Sequence, residues 1–302
     1  MSDLRGKVVV ITGSGRGIGR EHALAFADLG AHVIVNDLDS DVVDSVVGEI
    51  SSGGGSAEAN SDDISSWDGG QRIVEQAIAN HGKLDVLVCN AGIVRDRMVW
   101  NMTEAEWDSV VLSHLKGHFV PIRTACAHWR ETAKKTGVPA NGRIITTSSE
   151  AGLYGHDGQA NYAAAKAGVV GLTFGVAREM QRYGVTANAI CPRGRSRMTD
   201  GAFGAVELKS GDFDLWDPAN VAPWLTYLAS DAAANITGQV FVVHGGTVSW
   251  LKGWTETANI EQDRRWTLEE LDEAAAQLIP ELSVVPEPFP VFIPTADATT
   301  TK

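Results

Sequence analysis

Three residues within eighteen positions have the types and spacing to move a proton. Tyr162 and Lys166 stand four apart in a run of small residues, and Ser149 precedes the tyrosine by thirteen. Four residues on a helix is one turn, so phenol and ammonium share one face. A free tyrosine titrates near ~10, too high for a base at neutral pH. A cation within a few ångströms favours the phenolate, at roughly 1.4 kcal/mol per unit of lowering. Lys166 is therefore expected to lower the Tyr162 pKa until the phenol can take a proton from an alcohol. Ser149 can hydrogen-bond the same substrate oxygen. A bare Tyr-x-x-x-Lys pair more often marks a packed aromatic beside a solvated lysine, so the surrounding elements must decide.

Ser149 follows the apolar run Arg143-Ile-Ile-Thr-Thr, which reads as a buried strand. Near the start, Lys7-Val-Val-Val-Ile-Thr is another, followed by Gly13-Ser-Gly-Arg-Gly-Ile-Gly19 and a helical pattern that Gly30 stops. Strand, glycine turn, helix is the context in which such a loop binds a dinucleotide. Glycines admit the pyrophosphate, and the helix start offers N–H groups and a positive dipole end. Gly13, Arg16, Gly17, Ile18 and Gly19 are the candidate contacts. A second strand, Ala31-His-Val-Ile-Val-Asn, ends at Asp37, about 20 residues past the glycines, where an acid can bind the ribose 2′-OH of NAD. Arg16 is a basic residue of the kind that serves NADP. Asp37 weighs more, and NAD(H) is the expected cofactor.

Strands at 57–60, 84–89, 184–191 and 239–243 alternate with helices at 41–52, 66–81, from Thr103 through His114, at 159–183 and at 218–228. The fold expected is α/β: a Rossmann-like, doubly wound, parallel seven-stranded sheet with helices on both faces. Residues 1–246 would form one catalytic domain, with a substrate lid at about 197–217. Residues 247–302 would be a C-terminal extension, docked on its own or a neighbouring subunit. Trp250 and Trp254 read as one helical turn apart, and 267–278 as an acidic amphipathic helix.

The chain of 302 residues is 44% hydrophobic and 21% charged, with net charge −13. That charge argues against a nucleic-acid partner. No apolar run approaches the ~18 residues of a membrane span. The first strand begins at once, leaving no room for a signal peptide, so the cytoplasm is expected. Cys89, Cys126 and Cys191 show no metal spacing and read as buried thiols. No metal is expected.

Taken together, Ser149, Tyr162, Lys166, the glycine loop and Asn90-Ala91-Gly92 resemble the short-chain dehydrogenase/reductases, over about Lys7 to Gly246. The resemblance implies that Tyr162 is the acid/base, that Lys166 also holds ribose hydroxyls, and that Asn90, Ala91 and Gly92 line the cofactor crevice. It places Asp63 and Ile64 at the adenine, and Pro192 and Thr199 near the nicotinamide. It implies a homodimer or homotetramer, packed through helices around 103–134 and 159–183. Two positions depart from the pattern. His114 stands where most of the family has an asparagine that holds a relay water; relay member and packed helix histidine are equal readings. Arg193 replaces a glycine, and with Arg195 and Arg197 it reads evenly as a landing site for the phosphates of a coenzyme A thioester or as a salt-bridged loop. His114-Leu-Lys-Gly, the 152–162 loop and Ser196-Arg-Met-Thr are further similar to the 3-hydroxyacyl-CoA dehydrogenase part of type 2 peroxisomal multifunctional enzymes and to bacterial dehydrogenases of steroid and lipid breakdown. An NAD(H)-dependent oxidoreductase of a hydrophobic secondary alcohol follows, of 3-hydroxyacyl-CoA or hydroxysteroid type. The alternatives are an NADPH-dependent 3-oxoacyl-carrier-protein reductase and a non-catalytic dinucleotide binder.

Overall fold

The computed structural model describes residues 4–195 and 212–279. Seven strands run parallel: β1 (Val8–Ile11), β2 (His32–Asn36), β3 (Ser56–Asn60), β4 (Val86–Cys89), β5 (Arg143–Thr147), β6 (Thr186–Pro192) and β7 (Val240–His244). An eighth, β8 (Thr247–Leu251), turns back antiparallel on β7, giving the order β3-β2-β1-β4-β5-β6-β7-β8. The β8 stretch lies past the expected end of the sheet. Here Trp250 is a strand residue paired with Phe241, so the helical spacing read for Trp250 and Trp254 does not apply. Backbone pairing to an open sheet edge outweighed a two-residue periodicity.

Because strand side chains alternate, each strand feeds two cores. Val9 and Ile11 face one core, completed by Phe26 of α1 (Gly17–Asp28), Val46 of α2 (Ser40–Ser52) and Leu225 of α8 (Ala222–Ala229). Val8 and Val10 face the other, with Ile73 of α3 (Trp67–His81), Trp129 of α5 (Gly117–Thr136) and Met180 of α7 (Ala160–Met180). Burial on both faces explains the unbroken apolar strands.

Helix α4 (Glu104–Val111) opens with the expected capping box, Thr103 and Glu106 bonding each other's backbone N–H. It does not continue regularly. Leu112–Lys116 form a π turn before α5 begins, and Pro121, which cannot donate a backbone bond, lies inside α5 just beyond. His114 sits at the centre of that widened turn. A short α6 (Ala151–Tyr154) occupies part of the stretch read as loop after Ser149. The acidic helix α9 (Leu268–Leu278) forms as expected, capped by Thr267 and Glu270. No helix among the described residues is long and apolar enough to cross a membrane. Most of the expected lid, including Arg197 and Thr199, and the proline-rich end from Pro280 lie outside the described residues.

Candidate functional site

Strand order reverses between β1 and β4, and ligands of open α/β sheets bind beyond the carboxyl ends at such a point. A cavity of about 850 Å³ lies there. One end is walled by Gly13, Arg16, Gly17, Ile18 and Gly19 with Asp37, Asp63 and Ile64; the other by Ser149, Tyr162, Lys166 and Pro192, with Asn90, Ala91 and Gly92 between. His114 is not in the lining.

Thr12, Asn90 and Ser14, the last not singled out in the sequence, hold the glycine loop in shape. The Thr12 hydroxyl accepts from the backbone N–H of Asn90 (3.0 Å) and Ala91 (3.2 Å), and the Asn90 amide donates to the Gly13 carbonyl (3.0 Å). The buried Ser14 hydroxyl donates to the Ile11 carbonyl (2.8 Å) and accepts from the Asn36 N–H (3.0 Å), next to Asp37. A short hydroxyl inside a glycine loop is the signal that could have exposed Ser14. At Gly19 a Cβ would come 2.1 Å from the Gly13 carbonyl oxygen, so the helix start can approach the loop only without a side chain. Arg16, the N-cap of α1, makes no side-chain cap, which leaves first-turn N–H groups for an anion. A narrow cradle of uncapped N–H groups with a carboxylate at its far end fits a dinucleotide's pyrophosphate and ribose. Arg16 is itself ion-paired with Asp39 at 2.6 Å.

On the other wall the expected trio comes together. Ser149 and Tyr162 line the same wall. Lys166 Nζ donates to the Thr147 carbonyl at 2.6 Å and lies 5.6 Å from the centre of the Tyr162 ring. The electrostatics differ from expectation. Burial pushes Tyr162 up to about 12, with the Ser149 hydroxyl opposing and Cys191 and Asp96 adding to the rise. Burial likewise pushes Lys166 down to about 7. Desolvation disfavours the charged form of both groups and is the largest cause of each shift. The expected lowering of Tyr162 by Lys166 is not seen: the net shift is upward, and Lys166 is not among its causes.

His114 is fully buried, its ring edge-on to Tyr162 at 5.0 Å between centroids. Its Nε2 meets the Ile93 backbone, 2.6 Å from the carbonyl and 3.0 Å from the N–H. Burial, then the charge of Lys166, pushes it down to about 3, so the ring is neutral. The ring occupies the place a side chain at residue 92 would take: a Cβ on Gly92 would lie 2.0 Å from His114 Cε1. Glycine at 92 and histidine at 114 are thus one steric unit. His118, one turn further on, is also buried and held neutral by burial.

Of the arginines, Arg193 forms a two-pronged ion pair with Glu150, Nε to Oε2 at 2.8 Å and Nη2 to Oε1 at 3.0 Å, both side chains largely buried. Arg195 pairs with Asp214. Both therefore follow the salt-bridged reading. Glu150 follows Ser149 directly, so Arg193 ties the end of β6 to the serine loop. Burial raises the Glu150 pKa and Arg193 opposes that rise. Glu150 was missed because a lone acid beside a serine has no spacing signature. So was Asn161: its Oδ1 accepts from the Tyr162 N–H at 2.7 Å while its amide donates to the carbonyls of Arg95 and Glu106, both at 3.0 Å.

The family model described as short chain dehydrogenase matches residues 7–201. The chain is 48% identical over 255 residues to the hydroxyacyl-CoA dehydrogenase ChsB1 of Mycobacterium tuberculosis, covering 82% of this chain and 80% of that protein. It is 38% identical over 261 residues to the peroxisomal multifunctional enzyme type 2 of Mus musculus, spanning 83% of this chain but only 33% of that protein. A crystal structure of a short chain dehydrogenase from Mycobacterium avium superposes with TM-score 0.84 at 46% identity, over 92% of this chain and 96% of that one.

Proposed function

The chain belongs to the short-chain dehydrogenase family and is an oxidoreductase of CH–OH groups that uses a nicotinamide dinucleotide, and from that premise we propose that it is an NAD(H)-dependent dehydrogenase of a 3-hydroxyacyl-CoA-type secondary alcohol. The observation that carries this reading is one crevice with Asp37 and the glycine cradle at one end and Ser149, Tyr162 and Lys166 at the other.

The residues present fit the dinucleotide. Gly13, Gly17, Ile18 and Gly19 would hold its pyrophosphate, Asp37 a ribose diol, and Asp63 and Ile64 the adenine end. Asp37 would repel a 2′-phosphate, and Arg16, engaged by Asp39, is no free receptor for one. When bound, the nicotinamide supplies the hydride acceptor. Tyr162 takes the hydroxyl proton of the alcohol, and Ser149 holds the oxygen on which charge develops. Lys166, poised near neutrality by burial, favours the phenolate whenever it is protonated and holds ribose hydroxyls. His114, neutral and pinned to Ile93, positions the Tyr162 ring rather than carrying charge. Pro192, which lines the same crevice, would border the nicotinamide. The substrate class rests on the likeness to the acyl-CoA dehydrogenase relatives. Exposed Trp100, Trp107, Leu112 and Phe119 on and around α4 and α5 suit a face packed in a homo-oligomer.

The test is absorbance at 340 nm with NAD⁺ or NADP⁺ and a panel of a 3-hydroxyacyl-CoA, a hydroxysteroid and a simple secondary alcohol. NADH formation on the CoA thioester supports the proposal. Turnover only with NADP⁺ overturns the cofactor, and turnover only on another member overturns the substrate class.

A further inference from the structure

At the opposite end of the sheet from the crevice, three side chains with metal-ligating atoms converge. His32 opens β2, Glu58 lies in the edge strand β3, and His81 is the last residue of α3. Their ligand atoms all lie within 4.8 Å of one another. Neighbouring strand pairing sets this up: His32 pairs with Ser56 and Ile34 with Glu58, so His32 and Glu58 project from one face, the face α3 covers.

The donor chemistry is specific. His81 Nε2 lies 2.8 Å and His32 Nε2 3.3 Å from the same carboxylate oxygen, Glu58 Oε1. In a tetrahedral centre with bonds of 2.0–2.1 Å, ligand atoms stand about 3.3 Å apart. The cluster is within about half an ångström of that on both measured edges. The surroundings orient all three ligands as outer partners of a metal site do. The other carboxylate oxygen, Glu58 Oε2, accepts from the amides of Gln76 (3.1 Å) and Asn80 (2.8 Å), which leaves Oε1 to the histidines. His32 Nδ1 is bonded to the Ser56 hydroxyl at 2.7 Å, which directs Nε2 and its lone pair inward. That Nε2 is buried, and its one polar neighbour at 3.3 Å is Glu58 Oε1, the oxygen His81 also faces, with no well-formed hydrogen bond of its own. The side chains are 17–28% exposed, so an ion can enter from solvent.

We propose that His32, Glu58 and His81 bind a divalent transition metal of the Zn²⁺ class, with solvent at the remaining position. Two imidazoles and one carboxylate suit zinc, cobalt or nickel and not the oxygen-seeking Mg²⁺ or Ca²⁺. The ion would clip the edge strand β3 to β2 and to the end of α3, far from the catalytic wall.

The experiment uses tag-free full-length protein, stripped with chelator and titrated with Zn²⁺ by calorimetry. The expected result is one equivalent bound, a rise in thermal midpoint of about 5 °C at a hundredfold excess over Kd, and a visible band of tetrahedral intensity with Co²⁺. Glu58→Gln and His81→Asn should each weaken Zn²⁺ by more than the ~10–100-fold that outer partners carry. Both should bind NADH and turn over as the parent does, which also shows that they are folded. No heat and no midpoint shift with Zn²⁺ overturns the proposal. So does undiminished binding in either folded variant, since the ion would then sit elsewhere.

Discussion

On the proposed reading, the two ends of the crevice work by opposite means. At the cofactor end, function depends on what is missing: no Cβ at Gly19, no side-chain cap at Arg16, and backbone groups left pointing at an anion. At the catalytic end it depends on what is buried: Lys166 at 2% exposure, Tyr162 raised and Lys166 lowered by desolvation, and a neutral histidine against the tyrosine ring. The first is a problem of shape and the second one of charge. The cofactor end should therefore fail when bulk is added, and the catalytic end when a polar atom is removed.

The largest effect belongs to charge. Tyr162→Phe should lower kcat by about 10³-fold or more while NADH affinity, read by fluorescence titration, stays within twofold or so. Parallel loss of both would place Tyr162 in shape rather than chemistry. The pH profile carries the same point. A base must be deprotonated, and Tyr162 is pushed up to about 12, so the oxidation rate should climb with pH through and beyond neutrality, with reduction falling. An oxidation rate that is flat from pH 7 to 10 would show a tyrosine already ionised, and the burial argument would fail.

Next comes the Arg193–Glu150 pair. Arg193→Ala strands a carboxylate in a largely buried place, and breaking such a pair costs about 3 kcal/mol. Denaturant unfolding should show that loss. Because Glu150 adjoins Ser149, kcat should fall as well, and Arg193→Ala with Glu150→Gln should recover part of the stability. A change below about 0.5 kcal/mol would make the pair a surface contact.

The steric end is probed where the two halves touch. Gly92→Ala drives a methyl into the His114 ring and should cost about 1–3 kcal/mol by overpacking. His114→Asn, shorter, should relieve part of it. Additive losses in the double variant would mean the two positions are independent. The smallest effect is selectivity: Asp37→Asn should move the NAD⁺/NADP⁺ ratio of kcat/KM toward NADP⁺ by about tenfold, one lost charge repulsion of roughly 1.4 kcal/mol. An unchanged ratio would give cofactor choice to Arg16.

Much of this was legible in the chain because it is local. Strand, glycine loop and helix are written within residues 7–30, the Thr103 capping box within four residues, and Tyr162 and Lys166 within one helical turn. What was not legible involves partners far apart. Thr12 meets Asn90, Asn161 holds Arg95 and Glu106, and Arg193 finds Glu150 across 43 positions. No spacing rule spans such distances. β8 escaped for the same reason, since its pairing depends on the open edge of β7.

The sequence by itself determined the seven parallel strands, the glycine loop between strand and helix, and the placing of Tyr162 and Lys166 on one helix face, because hydrophobic period, glycine placement and one-turn spacing are properties of neighbouring residues. Only the tertiary structure decided the direction in which that pair's pKa values shift and the partners of Arg193 and Arg195. Those follow from burial and from the approach of distant groups, and desolvation, which here sends Tyr162 up where a near lysine alone would send it down, exists only once the chain has closed around the site.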